Sequence, residues 1–340
     1  MHRPIATRLP RRAVLAGAAA IPLFAIRSRP ANAAEFDYKF ATGQSPDNPI
    51  NTRMQEAIDR IKSATAGRVA MTLFPANKLG SDVAQIAQLR AGKIHFLNVA
   101  GSVLSTVVPA TALVNVGFAF GGYDQVWHGV DGDLGRFIAG EIDKTGMHLA
   151  APMGDNGFRQ ITSTDTPIKG PALKGFHIRV PPSPIFTSLF QSLGATATSI
   201  DFNVLYAALK NKQVGGEENG LVTVQTASLF EVQKYCAMTS HIWDSFCVLA
   251  NGPALDKLPA DLQAIVKREL KQGIVDQRAD EARLDAGLKG TLQRQGMVFT
   301  EVDKPAFQAV LKQSGFYKSW QGKFGAQGWA ALQSVSGPLA

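Results

Sequence analysis

Two periods of hydrophobicity follow one another along the N-terminal third of the chain. Residues 36–42 alternate between apolar and polar side chains, which is typical of a half-buried strand, and residues 69–74 and 94–99 are predicted as further strands. Apolar residues recur at helical spacing over 54–61, and a second helix is predicted over 81–91, capped by the serine that begins it. Strands that alternate with helices indicate βαβ units around a mainly parallel sheet, in which ligands bind at the carboxyl ends of the strands.

The middle of the chain repeats this pattern. Residues 176–180 are predicted as a short strand that ends at Pro181 and Pro182, and helices are predicted over 185–193 and 204–210. A second α/β unit therefore follows the first.

A single long helix is predicted over residues 259–295, where apolar residues form one stripe. Unbroken, it would extend about 50 Å at 1.5 Å per residue, which is longer than one small domain. We expect it to span two lobes. Since no low-complexity linker separates the lobes, the chain is expected to cross between them more than once. The predicted fold class is α/β with two lobes, each a mainly parallel sheet flanked by helices.

The charge of the chain is concentrated at its N-terminus. The formal net charge is +8, but six of the 35 basic residues and none of the 27 acidic ones precede Ala34, which leaves 29 basic against 27 acidic residues in the body. A nearly neutral body without a basic run argues against binding to nucleic acid or anionic lipid. The body also lacks the roughly 18 consecutive apolar residues of a membrane helix.

Residues 1–34 are predicted to be a signal peptide. A basic start is followed by an apolar stretch over 13–26 and by the small residues of 31–34, which suit a signal peptidase. Arg11 and Arg12 resemble the paired arginines of the twin-arginine export signal, whereas an arginine-rich signal for the Sec route is the alternative. Both predict a mature protein that works in the periplasm.

Two cysteines, Cys236 and Cys247, lie in a run over 235–250 that is apolar and rich in β-forming residues. In an extended segment their Cα atoms would be roughly 35 Å apart, whereas a disulfide needs less than about 7 Å. We therefore expect two separate buried thiols.

The sequence lacks the common local signatures of enzymes. It contains no G-x-S-x-G, H-E-x-x-H or C-x-x-C motif and no glycine-rich phosphate loop, and its histidines are scattered singly. We expect no enzyme activity, no cofactor and no metal site. The alternative is a periplasmic enzyme exported in the folded state by the twin-arginine route, because catalytic residues can be far apart in sequence.

Three stretches in the middle of the chain resemble a known family. They are G-F-R-Q-I-T-S over 157–163, L-K-G-F-H-I-R-V-P over 173–181 and E-E-N over 217–219. In this order and spacing they resemble the substrate-binding proteins of the tripartite ATP-independent periplasmic (TRAP) transporters, of the DctP type. The resemblance implies a monomeric protein that binds an organic carboxylate in a cleft and delivers it to a membrane permease of a large and a small subunit. A partner sensor kinase is an open alternative.

The resemblance also implies which residues hold the ligand. Arg179, at the end of the K-G-x-x-I-R-V-P strand, would grip the carboxylate, since a guanidinium presents a planar fork of donors. Arg159 would add a second cation, with a structural ion pair as the alternative, and Asn219 would donate from its amide. Gly215 and Gly220 depart from the Asp and Pro of the family pattern, which leaves the geometry around Asn219 open.

Two rings complete the predicted site. Phe202 stands where the family often has a ring lining the cleft, and Trp243 is expected to close its far side, although either ring can instead be a core residue. These rings favour a ligand with an aromatic or apolar body, and a C4-dicarboxylate or a keto acid remains equally open. Family architecture places one lobe at 35–156 and 244–286 and the other at 157–243 and 287–340.

Overall fold

The computed structural model describes residues 34–339, so the predicted signal peptide lies, apart from Ala34, outside the described residues. The described strands form two six-stranded sheets. In chain order they are β1 (Phe36–Thr42), β2 (Val69–Phe74), β3 (Phe96–Ala100), β4 (Met147–Leu149), β5 (Gly154–Phe158), β6 (Gln160–Ser163), β7 (His177–Val180), β8 (Thr196–Ser199), β9 (Gly216–Asn219), β10 (Tyr235–Met238), β11 (Trp243–Asn251) and β12 (Val298–Glu301).

Helices cover both sheets. In chain order they are α1 (Pro49–Ala64), α2 (Asp82–Arg90), α3 (Gly101–Leu104), α4 (Tyr123–Val130), α5 (Asp133–Asp143), α6 (Pro184–Ser192), α7 (Leu205–Lys210), α8 (Leu221–Thr226), α9 (Gly252–Asp256), α10 (Ala260–Arg294), α11 (Lys304–Gln313) and α12 (Phe316–Ser336). Short 3-10 turns occupy residues 109–115, 202–204 and 229–231.

Sheet A has the strand order β2-β1-β3-β11-β4, and β5 pairs with β11 as well. The pairs β1–β2 and β1–β3 are parallel, as the predicted βαβ units require. The bounds of β1 and β2 agree with the sequence prediction, and Ser81 caps α2 by accepting a hydrogen bond from the backbone of Ala84. These elements were predictable because alternation and capping are local signals.

Sheet B has the order β12-β10-β6-β9-β7-β8. Both sheets are mixed, since β11 runs antiparallel to β3, β4 and β5, and β6 runs antiparallel to β9 and β10. The chain passes between the sheets three times: directly from β5 to β6 and from β10 to β11, and through α10 from β11 to β12. The two direct crossings lead into β6 and β11, the strands that run antiparallel to their neighbours. The α/β class with two sheets is confirmed, and these two crossings account for the antiparallel pairs.

The long helix is confirmed as α10, which has 35 residues. It packs against α1 and β5 on the sheet A side and against α8 and β12 on the sheet B side. Its buried residues include Leu262, Leu270 and Ile274 in the core of sheet A, and Leu288 and Leu292 in that of sheet B. One helix therefore contributes to the core of both lobes.

The last helix, α12, contacts α4, α5 and α6 and the turn over 109–115. It kinks at Gly325, whose φ of 72° lies in the left-handed region that favours glycine. The exact division of the chain into lobes stays a prediction.

Both cysteines are buried and unpaired, Cys236 in β10 of sheet B and Cys247 in β11 of sheet A, as predicted. Between residues 34 and 339, no helix is both long enough and apolar enough to cross a membrane.

Candidate functional site

Arg179 lies on β7, between β8 and β9 of sheet B. The strand ends one residue later, where Pro181 and Pro182 follow Val180 and no further ladder hydrogen bond is available from their nitrogens. The side chain of Arg179 is only 2% exposed. Its Nε donates to the carbonyl oxygen of Ile200 at 2.8 Å. Among the described residues, the two terminal nitrogens of this guanidinium have no hydrogen-bond or ion-pair partner.

The electrostatic environment of Arg179 reflects this arrangement. Burial lowers the pKa of Arg179 to about 10, and the nearby carboxylates of Glu217 and Glu218 oppose that shift. The guanidinium is therefore a buried cation without a directly bonded counter-ion, which is costly unless an anion joins it.

A carboxylate on the sheet A side interacts electrostatically with Arg179. Asp82 is the first residue of α2, is 7% exposed, and accepts a hydrogen bond from Asn77 Nδ2 at 2.9 Å. Burial and the charge of Asp201 raise the pKa of Asp82, while Arg179 lowers it. A helix over 81–91 was predicted from the sequence, but Asp82 was not predicted as a ligand-binding residue. The position of this acid at the carboxyl end of a βα unit was the available signal.

Polar contacts join the two sides around these residues. Ser105 Oγ and Ser183 Oγ are 3.1 Å apart, and Ser45 Oγ donates to the carbonyl oxygen of Thr226 at 2.9 Å. Asn48 Nδ2 lies 3.4 Å from Thr226 Oγ1. These contacts therefore join the sheet A side, which carries Asp82, to the sheet B side, which carries Arg179.

Arg159, between β5 and β6, is engaged by protein groups. Its Nε and Nη2 donate to the two carboxylate oxygens of Glu218, at 2.5 and 2.9 Å, and Nη2 also reaches the Glu218 carbonyl oxygen at 2.6 Å. Nη1 lies 3.3 Å from Asp244 Oδ2, and the guanidinium covers the ring of Phe186. These contacts favour the structural ion pair that the sequence left open.

Asp244 is a buried carboxylate with several hydrogen-bond partners, and it was not predicted from the sequence as part of the site. Its Oδ1 accepts from the backbone of Ser102 at 3.1 Å and from Asn115 Nδ2 at 3.0 Å. Its Oδ2 accepts from Ser102 Oγ at 2.8 Å and from Asn156 Nδ2 at 3.1 Å, besides Arg159. The partners come from α3, the 109–115 turn and β5, so this carboxylate ties Arg159 to the sheet A side.

Glu217 and Glu218 are adjacent on β9, and their side chains have separate partners. Glu217 accepts from Thr162 Oγ1 at 2.9 Å and from the amide of Asn219, whereas Glu218 pairs with Arg159. Burial and the charge of Glu218 raise the pKa of Glu217 to about 7, against the opposing effect of Arg179. Asn219 is therefore placed at the end of β9 with its amide donating to Glu217.

The two predicted rings, Trp243 and Phe202, pack against other side chains of the protein. Trp243 is 1% exposed, donates from Nε1 to Asp155 Oδ1 at 2.8 Å, and meets Trp127 edge to face at 5.6 Å. Phe202 is half-buried against the apolar cluster of Leu205 and Leu209. Trp243 is therefore a buried ring and Phe202 a partly exposed one, and the role of both in ligand binding stays a prediction.

The arrangement is suited to binding. The described residues include no group of three or more His, Cys, Asp or Glu side chains placed to hold a metal ion. Among the described residues, Arg179 offers two terminal nitrogens without a partner, and Asp82, which interacts with it electrostatically, offers an acceptor. An anion that also carries a hydrogen-bond donor matches both.

Comparisons with known proteins point to one family of binding proteins. The family model of the bacterial extracellular solute-binding proteins of family 7, DctP, matches residues 40–320. The Sinorhizobium fredii protein y4mM is 31% identical over 302 residues, covering 87% of this chain and 55% of that protein, so the chain spans just over half the length of this relative. The 2,3-diketo-L-gulonate-binding periplasmic protein YiaO of Escherichia coli is 28% identical over 298 residues, covering 86% of this chain and 88% of the relative.

A solved structure shares the fold. The TRAP periplasmic solute-binding protein of Roseobacter denitrificans with bound L-galactonate has a TM-score of 0.83 to this chain at 26% identity, covering 89% of this chain and 99% of that one. The chain therefore belongs to family 7 of the bacterial extracellular solute-binding proteins, the binding proteins of TRAP transporters, which bind small organic acids for a membrane permease and are not enzymes.

Proposed function

We propose that this protein binds a hydroxylated carboxylate, with Arg179 as the anchor of the carboxylate and Asp82 as the acceptor for a ligand hydroxyl. The observation that carries the proposal is the buried guanidinium of Arg179, which has no acidic partner bonded to it among the described residues. Its Nε is held by Ile200, so its orientation is set before a ligand arrives. A ligand carboxylate would supply the missing counter-charge through the two terminal nitrogens.

Asp82 narrows the ligand class. A buried carboxylate with one amide donor has acceptor capacity left, and satisfying it requires a hydroxyl or another donor on the ligand. Two of the relatives agree with this class, since one is named for 2,3-diketo-L-gulonate and the other holds L-galactonate. A purely aromatic acid, one of the ligand classes that the sequence left open, would leave Asp82 unsatisfied.

The test is a calorimetric titration of the mature protein with L-galactonate and with the acid identified by native mass spectrometry of the purified protein. Truncating one member of a buried charged pair costs about 2–5 kcal/mol, so Arg179→Ala should weaken binding about 30-fold or more. Arg179→Lys should weaken it nearly as much, because lysine lacks the planar fork. Arg136→Lys, at an exposed position, is the control. Binding by Arg179→Ala within about threefold of wild type would show that the anchor lies elsewhere.

We also propose that the chain reaches the periplasm by its leader and acts there as a monomer that hands its ligand to a TRAP permease. Replacing Arg11 and Arg12 together by lysine and fractionating the cells tests the route. Retention in the cytoplasm supports twin-arginine export, and normal export supports the Sec route.

A further inference from the structure

A cavity that is not lined by Arg179 lies next to the two direct crossings between the sheets, from β5 to β6 and from β10 to β11. It has a volume of about 370 Å³. We call it the crossover pocket. Its lining residues are Phe118, Phe120, Gly121, Gly122, Tyr123, Phe158, Ser240, Lys304, Pro305 and Gln308. Phe158 ends β5 at one crossing, and Ser240 lies between β10 and β11 at the other.

The walls of the crossover pocket are mainly aromatic. Phe118, Tyr123 and Phe158 are each only half-buried, although Tyr123 and Phe158 meet edge to face at 5.2 Å. Rings of this kind usually complete a core, and here they leave part of their surface facing an open space. A volume of this size is within the range of small-molecule sites, and it suits a ligand with one ring.

One cationic side chain, that of Lys304, lines the crossover pocket. Lys304 Nζ donates to Ser240 Oγ at 3.0 Å and forms no ion pair with an acid among the described residues. Ser240 Oγ also accepts from Gln160 Nε2 at 3.2 Å. The ammonium is therefore held at the pocket by a neutral hydroxyl and remains available to an anion.

The backbone around the pocket is held in an uncommon conformation. Phe118 and Ser240 have φ angles of 56° and 44°, in the left-handed region that non-glycine residues rarely adopt. The two segments are tied together, since the backbone N–H of Phe118 donates to the carbonyl oxygen of His241 at 2.8 Å. Strain of this kind persists only where the surrounding structure enforces it, and it is frequent at binding sites.

Charged groups near the crossover pocket determine the orientation of an anionic ligand within it. The pKa of Tyr123 is raised by burial and by the carboxylates of Asp155, Asp285 and Glu281. These acids disfavour an anion at the Tyr123 hydroxyl. The anionic end of a ligand therefore belongs at Lys304, with its ring among the aromatic side chains.

From this geometry we propose that the crossover pocket is a second binding site, for a small aromatic carboxylate, that is separate from the Arg179 cleft. Because its walls include residues of both direct crossings, an occupant would contact two of the segments that connect the two sheets. The proposal does not depend on which acid the Arg179 cleft binds.

The test is a fluorine NMR titration of the mature protein with 4-fluorophenylacetate and with its uncharged counterpart, 4-fluorophenylacetamide. Wild type should bind the acid saturably and more tightly than the amide. Lys304→Gln should weaken binding of the acid about fivefold, as expected for one solvent-accessible charge contact, and should leave the amide unchanged. Lys312→Gln, at an exposed lysine of the same helix, is the matched control and should bind both probes like wild type.

Titration of the Arg179→Ala variant with the acid shows which of the two sites the acid occupies. If the acid binds this variant as it binds wild type, the site is not the Arg179 cleft and the proposal is supported. Loss of acid binding in Arg179→Ala, with no effect of Lys304→Gln, would place the probe in that cleft and overturn the proposal. Absence of saturable binding to wild type would overturn it as well.

Discussion

Arg159 and Glu218 form a fork-to-fork ion pair in which both side chains are almost completely buried, at 2% and 0% exposure. Two parallel hydrogen bonds join the guanidinium to the carboxylate, and Asp244 is a second acid within 3.3 Å. His241 Nε2 lies 3.3 Å from the same Glu218 carboxylate. Arg159 is thereby balanced by protein groups, whereas Arg179 is not, although both arginines belong to family motifs.

Breaking the Arg159 pair should therefore act on stability. Glu218→Gln leaves a buried cation with a weakened partner, and breaking a buried pair costs about 3–5 kcal/mol. We expect a lower free energy of unfolding, measured by urea denaturation. Glu35→Gln, which breaks the exposed pair with Arg68, is the control and should change it by less than about 1 kcal/mol. Equal urea midpoints for Glu218→Gln and wild type would contradict the structural role.

Glu217 should make stability depend on pH. Its pKa is raised to about 7 in the folded protein, against about 4.3 in an unfolded chain, so the folded state holds the proton more tightly. The resulting stabilisation is complete below about pH 4 and is lost as the pH rises to about 7. Glu217→Gln should lack this loss. Urea unfolding between pH 5 and pH 8 measures it, and identical pH profiles for the two proteins would contradict the prediction.

The same residue should couple ligand binding to proton uptake. Arg179 lowers the pKa of Glu217, and a carboxylate bound to Arg179 would cancel part of that effect. Binding near pH 7 should then take up a fraction of a proton. Calorimetry in two buffers with different ionisation enthalpies detects this as a buffer-dependent heat for wild type and none for Glu217→Gln. A buffer-independent heat for wild type would count against it.

Asp82 should discriminate between ligands with and without a hydroxyl near the carboxylate. Asp82→Asn exchanges an acceptor-only group for one that also donates, so a hydroxylated acid such as L-galactonate should lose about tenfold in affinity, or about 1.4 kcal/mol. Succinate, which has no hydroxyl, should be affected less. Asp59→Asn on the exposed face of α1 is the control. Equal losses for both acids would mean that Asp82 acts only through its charge.

Two glycines should respond oppositely to alanine. A Cβ on Gly220, just after β9, would lie 2.7 Å from the carbonyl oxygen of Asn156, so Gly220→Ala should destabilise by about 1–3 kcal/mol. Gly287 lies in α10 with no atom within 4 Å of such a Cβ, and Gly287→Ala should stabilise by about 0.5–1 kcal/mol. Thermal melts compare them. A Gly220→Ala protein as stable as wild type would show that the backbone at Asn156 can shift to admit the added methyl group.

How far the sequence predicts this molecule depends on how local each signal is. The bounds of β1 and β2, the Ser81 cap and the length of α10 follow from neighbouring residues and were predicted. The antiparallel direction of β11 was not, because it depends on which sheet the chain returns to. The pairing of Arg159 with Glu218 joins residues 59 positions apart, and no local pattern encodes it.

The candidate site shows the same division. Arg179 was predicted from its motif and lies buried on its strand, and its binding role stays a prediction. Phe202 was predicted because the family often has a ring at that position, and Trp243 because it was expected to close the far side of the cleft. A ring in sequence does not reveal which side of a strand or turn faces the core, and the binding role of both rings stays a prediction. Asp82 was missed because a lone acid in the first turn of a helix is ordinarily explained by the helix dipole.

Helix α10 has a mechanical consequence for any movement between the lobes. It is a single helix that packs against both sheets. Near its middle, the side-chain amide of Gln277 forms two hydrogen bonds with the backbone of Asp155 on β5: it accepts from the Asp155 nitrogen at 2.9 Å and donates to the Asp155 carbonyl oxygen at 2.7 Å. Rotation of one sheet against the other must bend α10 or break these two hydrogen bonds. The stiffness of α10, which is held near its middle by Gln277, therefore limits how far the two sheets can rotate and how widely the cleft can open.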